Sequence, residues 1–269
     1  MSMILMRAIL QQQANNQGGL GKSLIKYGRL YTWAAATGGT LITGMTTPTN
    51  AQWTTLVNYI NSEYNVSPNN FGVGNHLKHP RKDGTPVLSS EYNTSTHPRW
   101  EDDATHYGRD TVGFAALPGG YRLPGGNFED IGYSGRWWSA TEFDSNTAWR
   151  RSMPYNVGDV HNGNNDKISG FSLRCFRAAT SGEQSSYNDG DVIEQVKDYD
   201  NNIYDCIRIG TQVWTKQNIA TTKYTDGTSI LKVIENVDWK DLADTTKAYC
   251  DYNNDDSNTF FLNENDSIW

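Results

Sequence analysis

Cysteine is scarce: the chain has three in 269 residues. An odd count leaves at least one thiol free or paired between chains. The spacings of Cys175, Cys206 and Cys250 match no zinc pattern. A disulfide-free protein made in the cytosol, with no metal and no cofactor, is expected. Apolar residues are also few, at 36 %. No apolar run approaches the roughly 18–20 residues that a membrane helix needs, so no membrane insertion is expected. Residues 3–10 are the most apolar stretch, but Arg7 interrupts them and Gln11, Gln12 and Gln13 follow. A secretory signal would run charge, unbroken apolar segment, small-residue cleavage site. Basic residues are outnumbered, 23 Lys and Arg against 30 Asp and Glu, for a net charge of −7. That balance argues against nucleic acid as a partner, because phosphate binding needs a basic surface.

Aromatic residues, by contrast, reach 12 %, which a disordered chain would lack. The 25 Gly and 26 Asn point to many turns and long loops. The length fits one large domain or two modest ones.

Residues 1–26 read as an N-terminal extension or anchor. Within them G-G-L-G-K-S (18–23) evokes a phosphate loop, but Asn16 stands where the first Gly belongs. A flexible joint is the plainer reading. Residues 49–61 form the clearest helix. Thr49 and Gln52 make a capping box, and Trp53, Leu56, Val57 and Ile60 share one face. A shorter helix is expected over 238–243. Residues 169–177 alternate Phe171, Leu173 and Cys175 like a half-buried strand. Residues 206–214 place Ile207, Ile209, Val213 and Trp214 around a turn at Gly210, and 198–202 read as a hairpin turn. Residues 179–191 are small and polar, the best linker in the chain.

Five strings then occur in order: Y-G-R-L-Y-T-W-A-A-A (27–36), P-T-N-A-Q-W-T-T-L-V-N-Y-I (48–60), G-F-A-A-L-P-G-G-Y-R (113–122), G-R-W-W-S-A-T-E (135–142) and G-F-S-L-R-C-F-R (170–177). Together they resemble the Fibrobacter succinogenes major paralogous domain (FISUMP), a C-type-lectin-like family. The family often carries a Cys and a Gly-Trp pair before the helix, where this chain has T-G-M-T-T-P-T (43–49). Residues 209–230 and 248–255 (A-Y-C-D-Y-N-N-D) resemble the family's first half. The chain therefore reads as second half (27–179), linker (180–190), first half (191–269). The resemblance implies an α+β, C-type-lectin-like fold of short antiparallel strands, one firm helix and long loops.

Neither half alone would close such a fold. Residues 191–269 either fold back on their own core, a circular permutation, or dock on a neighbouring subunit. A flexible linker of this length reaches roughly 20 Å, enough for both. A chain that starts and stops mid-domain favours the intermolecular version, hence a homo-oligomer.

The stretch 155–166 (Y-N-V-G-D-V-H-N-G-N-N-D) lies between two strand-like segments, where the lectin-like resemblance implies ligand-facing loops. Tyr155, Asn156, Asp159, His161, Asn162, Asn164, Asn165 and Asp166 are candidate ligand-binding residues, with Asp144 and Asn146 from a neighbouring loop. Amides and carboxylates bond sugar hydroxyls or a protein surface, and an aromatic stacks on a ring face. The plain alternative is a solvated loop of turn formers. The same residues supply only part of a calcium shell, which needs six to eight oxygens. Trp137 and Trp138 read as core, as do Phe114, Leu117, Tyr121 and Phe171. The histidines and the K-H-P-R-K cluster (78–82) read as solvated loops. No Gly-x-Ser-x-Gly elbow is present, and the acidic doublets at 101–103 and 129–130 cannot straddle a substrate. No catalytic residue is expected.

The family resemblance implies display outside a cell, while no export signal is visible. A virion protein resolves the conflict: a bacteriophage head or tail fibre or decoration subunit, contacting other virion subunits and a host receptor or glycan. A bacterial cell-surface or extracellular adhesin is the alternative. A third class is an enzyme of the formylglycine-generating kind, which would use Cys175.

Overall fold

The computed structural model describes residues 25–64, 66, 72–79, 99–106 and 108–260. The phosphate-loop-like string, His97 and most of the basic cluster lie outside the described residues.

Helix formation follows the caps. Residues Trp33–Thr37 (α1) begin where the Thr32 side chain accepts from the Ala35 amide. Asn50–Glu63 (α2) carries the full Thr49–Gln52 capping box, worth about 1 kcal/mol. Its buried face is Trp53, Leu56 and Ile60. Trp53 meets Trp214 at 4.7 Å and Phe114 at 5.9 Å between ring centroids. Val73–Leu77 (α3) is a single short turn.

Strands supply most of the rest: β1 Leu30–Tyr31, β2 Gly119–Arg122, β3 Phe128–Ile131, β4 Ser134–Glu142, β5 Thr147–Pro154, β6 His161–Asp166 and β7 Phe176–Ala178. Further on come α4 Ser181–Ser186, β8 Val192–Lys197, β9 Ile203–Ile209, β10 Gln212–Thr215, β11 Leu231–Lys232, α5 Asn236–Lys240 and β12 Ala248–Cys250. The chain is α+β. One sheet runs β3-β2-β4-β5-β6, a second β7-β10-β9-β8, and a third β1-β12-β11. Gly210 turns the β9–β10 hairpin at φ +57, where any side chain would also strike the Tyr59 ring.

Residues 191–260 pack against 25–179 of the same chain. β10 pairs with β7, Trp214 opposite Phe176, and β12 pairs with β1, Cys250 opposite Leu30. Two fully buried arginines cross the same boundary. Arg122 donates to the carbonyls of Val233 (2.7 Å) and Ile234 (2.9 Å). Arg174 donates to Asn218 Oδ1 (2.7 Å) and to the Thr215 carbonyl (2.7 Å). Arg29 pairs with buried Asp251 at 3.1 Å. Tyr31 donates to the Thr221 carbonyl, and Tyr224 to that of Ala35. A guanidinium whose donors all meet carbonyls or amides is tolerated in a core; one left without them is not.

The connecting segment differs from the flexible linker expected. Thr180 and Glu183 form a second capping box, starting α4. Arg177 bridges Glu183 and Glu194. Asp189 pairs with Arg208 and accepts from Tyr59. Residues 169–177 also differ. Only Phe176 and Arg177 there belong to a strand, although Phe171, Leu173 and Cys175 are buried as the alternation implies. The segment threads between sheets, bridging Tyr31, Arg122 and Trp137 singly, and its carbonyls at Leu173 and Cys175 accept from Ile219 and Thr215. The second helix spans 236–240 rather than 238–243, with Trp239 as its buried residue.

Candidate functional site

The candidate stretch is less of a loop than its composition implies. Residues 161–166 form β6, an edge strand paired with β5 in antiparallel register. Turn-forming Asn and Gly are tolerated there because only one neighbour must be matched. Strand alternation then divides the candidates between two faces. Asn162, Asn164 and Asp166 stand opposite Arg151, Trp149 and Thr147. His161, Gly163 and Asn165 stand opposite Ser152, Arg150 and Ala148.

The first face is the one α2 covers. Arg151 donates to the carbonyl and side-chain oxygen of Asn50 and to Thr54 Oγ1 (2.6 Å). Burial pulls its guanidinium down to about 10. Beyond the end of the helix, half-buried Trp149 continues this face, and Phe143 packs edge-on against it at 4.9 Å. Phe143 is 49 % exposed. An aromatic pair therefore sits beside exposed Asn162, Asn164 and Asp166. That combination of a ring face with amide and carboxylate groups suits a sugar or a polar protein surface.

Asp144 and Asn146 lie at this end, in the β4–β5 turn. The Lys167 amide donates to the Asn146 carbonyl at 3.0 Å, tying the turn to the end of β6. The Asp144 carboxylate accepts from the amides of Asn146 and Thr147, which hold it below the usual carboxylate range. Asp144 thus closes its own turn.

Tyr155, Asn156 and Asp159 lie at the opposite end of β6, roughly 17 Å away along a six-residue strand. The ten candidates do not converge on one pocket. Tyr155 packs edge-on against Tyr133 at 5.4 Å. The backbone of this loop is fixed from below by Lys78, whose Nζ donates to the carbonyls of Val157 (2.7 Å), Tyr155 (3.2 Å) and His106 (3.4 Å). Lys78 is fully buried beside Trp100, not solvated as its basic cluster implied. Burial pulls its ammonium down to about 7, against a smaller opposing effect of Asp103. Gly72 sits at φ +40, and a side chain there would reach within 2.7 Å of Asp159 Oδ1.

Asp159 and Asp166, both needed for a calcium shell from this stretch, are at opposite ends of the strand. Among the described residues no three His, Cys, Asp or Glu side chains converge as metal ligands, and no helix is long and apolar enough to cross a membrane. All three cysteines are free and buried. Desolvation pushes the Cys175 thiol well above its ordinary value and those of Cys206 and Cys250 up to about 12, the opposite of an activated thiolate.

Sequence reasoning missed Phe143 and Trp149. The signal was the alternation of T-A-W-R-R-S, but which face it shares with β6 depends on register, and register is a long-range property.

A sequence family described as the Fibrobacter succinogenes major domain matches residues 9–177. The match begins inside the segment read as an extension. No curated protein and no solved structure matches the chain. The match spans more than half of the 269 residues, and the chain belongs to the Fibrobacter succinogenes major domain family.

Proposed function

We propose that this chain is a non-catalytic structural and adhesive subunit of a virion, a bacteriophage head or tail fibre or decoration protein, with a C-type-lectin-like face that contacts a host receptor or glycan. One observation carries the reading: the half-buried Trp149–Phe143 pair flanked by the exposed Asn162, Asn164 and Asp166 on the edge strand. Such a surface offers stacking area and hydrogen-bonding groups whose side chains have no hydrogen-bond partner among the described residues. The same reading takes the chain as a family module written with its halves exchanged, 191–260 supplying the missing strands from the other side of α4. The burial of Cys175 supports binding over chemistry.

The test is a glycan array and host-cell binding assay on the full chain and on Trp149→Ala and Asn164→Ala variants. Binding that both substitutions abolish, with unchanged melting temperature, supports the reading. Binding that survives both places the contact elsewhere and removes this face from the account.

A further inference from the structure

The opposite face of the same strands carries a different chemistry. Across β4, β5 and β6, Arg136, Ser152 and His161 lie in register as one transverse row. Arg150, two residues before Ser152, is on the same side and diagonal to Arg136. Its guanidinium reaches into the row, donating to Ser152 Oγ and to Asn165 Oδ1 at 3.0 Å. Gly163 makes room for it, since a Cβ there would stand 3.3 Å from the guanidinium carbon.

The Arg136 guanidinium carbon sits over the Tyr121 ring, 3.4 Å from its centroid. The Arg136 Nε is buried with no hydrogen-bond partner among the described residues. Neither arginine forms an ion pair among the described residues. Glu129 and Asp130 lie near Arg136 without pairing with it, and Glu129 accepts instead from Tyr121 at 2.8 Å. Burial and then Arg136 pull the Arg150 guanidinium down to about 10. Two half-buried like charges held together in this way raise each other's energy. An oxyanion between them would offset that repulsion through charge-assisted hydrogen bonds from the two guanidinium groups.

We propose that Arg136 and Arg150, with Ser152 and His161, form a binding site for the carboxylate or sulfate of an anionic saccharide. The oxyanion rests on this geometry alone, whereas the saccharide rests on the glycan reading above. The two faces are separate, so each fails separately. The site needs no residue of the Trp149 face.

The experiment is calorimetric titration of the full chain with a sulfated disaccharide, a uronate disaccharide and a neutral disaccharide of the same linkage. Inorganic sulfate is run alongside. The expected result is binding of one or both anionic sugars, weakened by salt, with at least about tenfold loss in Arg136→Gln and in Arg150→Gln. Which anionic sugar binds identifies carboxylate or sulfate. Sulfate that binds while all sugars fail overturns the saccharide and keeps the oxyanion. Should either arginine variant melt early, exposed His161→Ala and the charge-preserving Arg150→Lys replace it, and both are expected to weaken the anionic sugar. Equal binding of neutral and anionic sugars, or anionic binding unchanged in every variant but lost in Trp149→Ala, overturns the proposal and leaves the first face standing.

Discussion

The side-chain oxygen of Asn218 accepts a hydrogen bond from Nε of Arg174 at 2.7 Å across the boundary formed by residues 180–190. The same oxygen accepts from Trp137 Nε1 at 2.8 Å, and the Asn218 amide donates to the Tyr27 carbonyl. One asparagine therefore joins β4, the strand-like run before β7 and the segment before β1. Asn218→Ala leaves two buried donors unmatched, each costing about 1–3 kcal/mol. The expected outcome is a cooperative loss of about 3 kcal/mol in urea unfolding. A loss below about 0.5 kcal/mol would mean that water replaces the amide at no cost.

The ordered connection gives a smaller, local expectation. Thr180→Ala removes the cap that starts α4 and should cost about 1 kcal/mol or less. Global unfolding should stay two-state, because Asp189 still holds Arg208 and Tyr59. Hydrogen exchange at residues 181–186 should rise while β9 and β10 stay protected.

Lys78 predicts a pH dependence of definite sign. Its folded pKa of about 7 lies below the ordinary lysine value of 10.5. Between those values the unfolded chain binds more protons than the folded one, so stability rises with pH across that window. Below pH 7 both states carry the charge and the cost of burying it is fully present. Lys78→Met should flatten the rise measured by thermal melts from pH 7 to pH 10. A wild type whose stability is level there, or an unchanged slope in the variant, would contradict the assignment.

Some of this organisation is legible in the sequence because it is local. The Thr49–Gln52 box and the 3.6-residue spacing of Trp53, Leu56 and Ile60 place α2 within two residues of its observed end. Gly210 marks its hairpin, and Trp137 and Trp138 are core as read. The second box, Thr180–Glu183, is written in the same code, yet the surrounding small polar residues outweighed it. What sequence reasoning could not supply is long-range. Lys78 is buried because three carbonyls from two distant segments converge on it. His161 and Asn162 point to different faces because β6 pairs with β5 in one register. Residues 169–177 alternate like a strand, but their partners change every residue or two.

The two proposed faces both depend on a core that residues 191–260 complete, since Trp137 is anchored by Asn218 and Trp214 packs on Trp53. The most direct measurement inserts a protease site within residues 181–186, cleaves the folded chain and weighs the product by light scattering. Two fragments that stay together at the mass of the uncleaved protein, melt once and separate only in denaturant are the predicted result. Fragments that part on cleavage, each retaining its own cooperative melt, would contradict it.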